Sequence, residues 1–242
     1  MLMGSHTNFD HCEKAVIIVA GGSGLRLGGS TPKQFLEIEG KAVLLHSIDA
    51  FLSALEEVQM IVALHADYHD WWKEKTEGQE AYKDVVVCHG GKTRTESVKK
   101  AMFSLGRSIR QVAIHDAVRP LVGPDMIRRV LAATEQYPAV VPSIPLHDSI
   151  RRKGEGNKNE PAKRDDFIAI QTPQAFQRAV IESAYQKVSN DQVFSDDASL
   201  VEEIEKIAVY LVEGELSNLK ITRPEDLLMV EFLLWKRHQA TK

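Results

Sequence analysis

An α/β domain, with a single Rossmann-like and mostly parallel sheet and helices on both of its faces, is the fold this sequence predicts. Three observations point to it. Of 242 residues, 43% are hydrophobic, enough for one sizeable core. From Ala15 onward, short β-branched runs alternate with helix-length amphipathic segments, as strands do when helices connect them. The first run passes directly into a glycine-rich turn, Ala20-Gly21-Gly22-Ser23-Gly24-Leu25-Arg26-Leu27-Gly28-Gly29, at the strand end where open α/β sheets receive ligands.

Taken in order, residues 1–13 are set apart as an N-terminal extension. Met3-Gly4-Ser5-His6 resembles an expression-vector remnant, and the stretch lacks the basic-then-apolar order of a secretory signal. Residues 14–242 are expected to form one domain. Strands are predicted at 15–19, 59–64, 84–88, 111–114, 139–144 and 207–212, each short, β-branched and bounded by turn signals. Helices are predicted at 42–55, 93–105, 124–136, 175–188, 196–205 and 224–237. Three of them carry start signals: Thr93, Gly123-Pro124 and Arg223-Pro224. Residues 146–164 break the rhythm, with Arg151-Arg152-Lys153, two glycines, Asn157-Lys158-Asn159-Glu160-Pro161 and no sustained apolar period. A polar insertion of that length is disordered, a lid, or an arm reaching a neighbouring subunit. No internal repeat is found.

Composition excludes several classes. A formal charge of -4 leaves no general basic surface for nucleic acid, so an anionic ligand must meet local clusters of Lys and Arg. Cys12 and Cys88 are too few and too far apart for a disulfide framework or a four-ligand zinc site; a reduced, cytoplasmic location is expected. No apolar run approaches the roughly 20 residues that cross a bilayer.

The chemistry gathers at one sheet edge. Glycines after the first strand let backbone N–H groups from Ala20, Gly21, Gly22, Ser23 and Gly24 approach phosphate oxygens, while Arg26 and Lys33 add charge-assisted contacts to a triphosphate. A dinucleotide fingerprint fails because Leu27 stands where its third glycine belongs, and a P-loop fails for want of a terminal Gly-Lys-Ser/Thr. Asp116 follows the strand at 111–114, where a carboxylate can hold Mg²⁺ against triphosphate oxygens; alone, such an Asp would serve equally as a cap or turn former. His115 is expected to be structural. Arg119 either pairs with Asp116 or shapes the pocket. Asn218-Leu219-Lys220-Ile221-Thr222 reads as an extended segment bringing Lys220 toward that edge.

In order and wording these motifs resemble the CTP-dependent cytidylyltransferases of the nucleoside-triphosphate transferase superfamily. The resemblance covers the glycine loop with Pro32-Lys33-Gln34, Gly90-Gly91-Lys92-Thr93-Arg94-Thr95-Glu96-Ser97-Val98, His115-Asp116-Ala117-Val118-Arg119-Pro120, Gln171-Thr172-Pro173-Gln174-Ala175-Phe176, Ser195-Asp196-Asp197-Ala198-Ser199, and Asn218 through Leu227. Leu27 replaces a usual Met, and Lys92 stands where an acidic residue often follows the Gly-Gly pair. The resemblance implies Mg²⁺-dependent transfer of CMP from CTP to a small polyol phosphate, with 2-C-methyl-D-erythritol 4-phosphate expected ahead of ribitol 5-phosphate. A module that binds nucleotide without catalysis is the alternative from another class. It further implies that Arg26, Lys33 and Lys220 are catalytic cations and that Asp116 is the metal carboxylate. Gly91 and Ser97 would lie around the cytosine, and Arg119 and Thr172 on the acceptor side. The excursion becomes an arm that crosses to the second subunit of a homodimer, where Ser149 and Arg164 hold the acceptor phosphate. The acceptor's own phosphate, with a second pKa of about 6, is largely dianionic at neutral pH, so the chemistry calls for no general base.

Overall fold

The computed structural model describes residues 9, 11–22, 31–189, 192 and 194–240. Its centre is β1 (Lys14–Ala20), whose side chains alternate between two buried faces: Val16, Ile18 and Ala20 join one core cluster, Ala15 and Ile17 the other. A strand covered on both sides must be apolar throughout, which is why this stretch reads as an unbroken hydrophobic run.

β1 pairs in parallel with β4 (Gln59–Leu64) on one side and β6 (Gln111–Asp116) on the other, and β5 (Val86–His89) continues in parallel beyond β4. Past β6 the direction reverses. β11 (Gln174–Gln177) runs antiparallel to both β6 and β7 (Ala139–Pro145), and β10 (Ile168–Ile170) is antiparallel to the far half of β7. β12 (Tyr210–Glu213) pairs in parallel with β7; because Val140 is opposite both Ala175 and Tyr210, β12 takes the other edge of that strand. The eight-stranded sheet is thus mostly parallel, with one interrupted antiparallel strand let into it.

Two helical layers cover it. α1 (Val43–Ala54) and α4 (Pro124–Ala133) bury Leu44, Ile48, Phe51, Met126, Ile127 and Val130 against one face. α3 (Arg94–Met102), α5 (Arg178–Lys187) and α6 (Asp197–Glu205) bury Val98, Ala101, Ile181, Ala184, Leu200 and Val201 against the other. Each large side chain so removed from water contributes about 1.5–3 kcal/mol. α7 (Pro224–Ala240) closes a third cluster, in which Val230 and Leu234 meet Val118, Leu121 and Ile221. Three helix starts follow the sequence signals: Thr93 Oγ1 accepts from Glu96 N, Pro124 occupies the first turn of α4, and Pro224 opens α7; α6 is started by a reciprocal Asp196–Ser199 capping box that is not among those signals.

Some elements differ from expectation. Residues 175–177, predicted as the start of the helix at 175–188, belong to β11 (Gln174–Gln177) instead; with Ala175 and Phe176 wholly buried between two neighbouring strands, four residues are too few to display a period. α2 (His69–Thr76) is largely polar and buries only Trp72, so it carries little amphipathic signal. The short ribbon of β2 (Glu37–Ile38) and β3 (Lys41–Ala42) is likewise too brief to predict. The polar excursion is a hairpin, β8 (Ile150–Lys153) against β9 (Asn159–Ala162), paired only within itself and exposed over most of its length. Before β1, Cys12 is 2% exposed, and Ser108 Oγ donates to the carbonyls of Phe9 and Cys12, so the described part of the leading stretch packs onto the domain.

Candidate active site

The carboxyl ends of β1, β5 and β6 meet at one edge, each delivering a different kind of group. β1 ends at Ala20 and turns through Gly21 and Gly22. Gln34, 3% exposed, fixes that turn by donating from Nε2 to Ala20 O at 3.1 Å and to Gly22 O at 2.8 Å. A Cβ on Gly21 would fall 2.8 Å from Ser97 Oγ, so only glycine lets this turn approach the second glycine pair at the end of β5. There the Gly91 N–H donates to Ser97 Oγ at 2.9 Å, and that hydroxyl donates on to Thr93 O at 2.9 Å. Lys92 is exposed and lines the pocket described below, and its backbone N–H donates to Glu96 Oε2.

β6 delivers Asp116 as its last residue, 8% exposed. Lys220 Nζ lies 2.8 Å from Oδ2, Arg119 Nε 3.7 Å from the same oxygen, and Arg94 Nε 3.5 Å from Oδ1. Burial alone would raise the Asp116 pKa; Arg94, then Lys220 and Arg119, outweigh it and hold the carboxyl well below the usual carboxylate range. It is therefore an anion at any physiological pH.

A buried hydrogen-bond web places the last cation. Arg119 Nη1 donates to Asn218 O at 2.8 Å, Asn218 Nδ2 donates to Thr172 O at 2.9 Å, and Ile221 N donates to Val118 O at 2.9 Å. The segment from 218 to 221 is thus stitched to the turn after β6, which sets Lys220 against Asp116. Lys33 reinforces the join by donating from Nζ to Ile221 O at 2.6 Å. Thr172 Oγ1 accepts from Asp116 N at 3.1 Å and lies 3.1 Å from His115 Nδ1. His115 is fully buried, contacts Arg119 O through Nε2 at 3.1 Å, and has its pKa pushed down to about 4, by burial above all. At neutral pH it is an uncharged structural group.

Between these elements lies a pocket of about 590 Å³, lined by Ala20, Gly21, Gly22, Lys33, Gly91, Ser97, Asp116 and Lys220 among others. That volume suits a nucleotide. Arg119 and Thr172 stand behind Asp116 rather than in the lining. Ser149 and Arg164 are exposed on the excursion, and Arg164 Nη1 donates to His147 O at 2.8 Å; within one chain neither reaches the pocket lining. Arg26, Ser23 and Gly24 lie outside the described residues. Sequence reasoning missed Arg94 and Gln34, though both sit inside motifs it had singled out: Arg94 opens α3 straight after its cap, and Gln34 follows Lys33.

Backbone glycines facing lysines and a low-pKa carboxylate, all at the carboxyl edge of a parallel sheet, are what a nucleoside triphosphate and its counter-ion require. The class these define is the α/β nucleotidyltransferases. A family model for 2-C-methyl-D-erythritol 4-phosphate cytidylyltransferase (IspD) matches residues 14–236. A protein of that name from Bacteroides thetaiotaomicron is 38% identical over 222 residues, covering 92% of this chain and 100% of the relative. The solved structure of 4-diphosphocytidyl-2C-methyl-D-erythritol synthase from Anaerococcus prevotii superposes with a TM-score of 0.80 at 27% identity, over 93% of this chain and 99% of that one. The Thermus thermophilus 2-C-methyl-D-erythritol 4-phosphate cytidylyltransferase gives 0.73 at 32% identity, over 90% and 97%. The chain belongs to the 2-C-methyl-D-erythritol 4-phosphate cytidylyltransferase family and is a nucleotidyltransferase of the cytidylyl-transferring kind.

Proposed function

We propose that this chain transfers CMP from CTP to 2-C-methyl-D-erythritol 4-phosphate at the pocket around Asp116, releasing pyrophosphate and giving 4-diphosphocytidyl-2-C-methyl-D-erythritol for isoprenoid precursor synthesis. The observation that carries this is the convergence of Lys220, Arg94 and Arg119 on one buried carboxylate beside two glycine turns, in a chain of that family.

An oxygen of the acceptor's phosphate attacks the α-phosphorus in line; the bond from that phosphorus to the bridging oxygen breaks, and pyrophosphate leaves with the electron pair. The nucleophile is already anionic, and His115, neutral and engaged on both ring nitrogens, takes no proton from it. Acceleration then comes from holding two anions together and offsetting the charge on the transferring and leaving groups. Lys33 and Lys220, with Arg26, serve as those cations. Backbone N–H groups at Ala20, Gly21, Gly22, Ser23 and Gly24 cradle the triphosphate, and Gly91 and Ser97 flank the base.

Asp116 suits a divalent cation such as Mg²⁺. It is ionised and lines the pocket, and among the described residues no group of three or more His, Cys, Asp or Glu offers a full ligand set. One protein carboxylate completed by phosphate oxygens and water is the usual manner of holding Mg²⁺ beside a nucleotide, where the ion neutralises phosphate charge.

The acceptor side is completed by a second subunit, whose Ser149 and Arg164 reach this pocket from its hairpin; their exposure on an outward ribbon supports this. Arg119 and Thr172 support the acceptor side from behind Asp116. Among the described residues no helix is long and apolar enough to cross a membrane, and the free cysteines Cys12 and Cys88 fit a cytoplasmic setting.

The experiment supplies CTP and Mg²⁺ with either acceptor phosphate and measures pyrophosphate. Turnover with the methylerythritol compound is expected; turnover of ribitol 5-phosphate alone would overturn the acceptor assignment, and none with either would leave only a nucleotide-binding module.

A further inference from the structure

Two carboxylates are buried among the described residues: Asp116, already placed in the reaction, and Asp197, which is 0% exposed and has no role in it. A buried anion is costly unless ionic partners and hydrogen bonds surround it. Asp197 has both. Tyr185, 2% exposed, donates its hydroxyl to Oδ1 at 2.5 Å, and Arg94 Nη2 lies 2.7 Å from Oδ2. The same guanidinium turns its Nε toward Asp116, at the longer distance of 3.5 Å. One arginine therefore spans the two carboxylates and is held more tightly by the one outside the pocket.

Asp197 cannot move to change that balance. It is the first residue of α6, where the helix dipole favours a carboxylate. The start of α6 is fixed by the Asp196–Ser199 box and by Gln174, which donates to Asp196 Oδ2 at 2.7 Å and accepts from Ala198 N at 3.0 Å. Arg94 must come to Asp197.

We propose that Asp197, oriented by Tyr185, is a positioning residue that draws the Arg94 guanidinium off Asp116 and so keeps that carboxylate open to the divalent cation accompanying the triphosphate. This rests on the assignment of Asp116 as the metal carboxylate. Asp116 already meets Lys220 and Arg119; a third close cation would neutralise it. Without the charge of Asp197, the carboxylate nearest Arg94 is Asp116, and attraction across a partly dry site would close the 3.5 Å gap. The guanidinium would then compete with the metal, and the site would have lost a negative charge. Both changes weaken cation binding. The loss of negative charge has the opposite sign for the triphosphate, whose binding is not weakened. A residue that merely braced α6 against α3 would, when removed, loosen both.

The test compares Asp197→Asn with the unaltered chain. Mn²⁺ binding in the presence of CTP, without acceptor, is followed by electron paramagnetic resonance, and CTP binding without metal by calorimetry. We expect Mn²⁺ affinity to fall about tenfold, in the range for partners one step behind a metal ligand, with metal-free CTP affinity equal or tighter. The half-saturating Mg²⁺ concentration for turnover should rise by a similar factor. Unchanged Mn²⁺ affinity, or metal and nucleotide affinities that fall together, overturns the proposal. Should Asp197→Asn fail to fold, Tyr185→Phe, which keeps both charges and removes one hydrogen bond, is expected to lower Mn²⁺ affinity in the same direction but by less; no shift there overturns it equally. Asp116→Asn separates the two layers. If it leaves Mn²⁺ binding intact, the metal assignment and this proposal fall together; if it abolishes binding while Asp197→Asn changes nothing, only this proposal falls.

Discussion

Lys33 and Lys220 illustrate how a surface-type residue is made into a site residue by the backbone around it. Neither is distinctive alone, yet Lys33 donates to the carbonyl of Ile221 and Lys220 sits 2.8 Å from Asp116, so the two ends of the domain are tied through their lysines. Replacing either with Ala is expected to lower kcat on the order of 100-fold or more, as for other removed transition-state contacts, while the thermal midpoint changes little because both side chains border the pocket rather than fill the core. Near-normal turnover in Lys220→Ala would take that residue out of the mechanism. Cys88 gives a second expectation at this scale. Burial pushes its thiol up to about 11, with Lys100 offsetting only part, and the reactive species is the thiolate. Alkylation of the native protein at pH 8 should therefore be much slower than in urea. Equal rates in the two conditions would show that the thiol is neither buried nor shifted.

At the scale of elements, the two glycine turns are coupled through one hydroxyl. Gly21 has room for no Cβ because Ser97 Oγ lies there, and that oxygen is committed to Gly91 N and Thr93 O. Gly21→Ala should weaken CTP binding, Ser97→Ala should do so less, and the double variant should recover part of the loss. A coupling of roughly 0.5–3 kcal/mol is expected for residues in such contact; strictly additive losses would refute the close packing of the turns. How far these elements could be read in advance depended on length and on the number of buried faces. β1 and β4 are plain because a strand buried on both sides is apolar from end to end, and Thr93, Gly123-Pro124 and Arg223-Pro224 mark helix starts directly. β11 was hidden because four residues before a helix carry no period of their own. In the pocket, Asp116 and Lys220 stood out as charges in motifs, whereas Gln34 and Asn218 act through bonds to distant carbonyls that no local pattern encodes.

For the molecule as a whole, the outward hairpin and the pocket are separate in one chain, and the proposed sharing of the site between two subunits is tested by mixing. Arg164→Ala and Lys220→Ala should each be nearly inactive alone. Refolded together in equal amounts, they should regain about a quarter of full activity, because half of the pairs are mixed and each mixed pair has one intact composite site. No recovery would mean that the arm serves its own chain, or that Arg164 has no part in acceptor binding.

The placement of β1 also bears on how the protein is made. The strand that ends in the glycine turn is synthesised before its partners, residues 59–64 and 111–116, and the segment that brings Lys220 to Asp116 is joined to the turn after β6 across some hundred intervening residues. Pairings this distant form late. A ribosome releases the glycine turn long before it releases Lys220, so a chain halted short of residue 220 lacks the lysine that faces Asp116. If Lys220 acts as proposed, a fragment ending before it is expected to show no pyrophosphate release, and turnover by such a fragment would argue against that role.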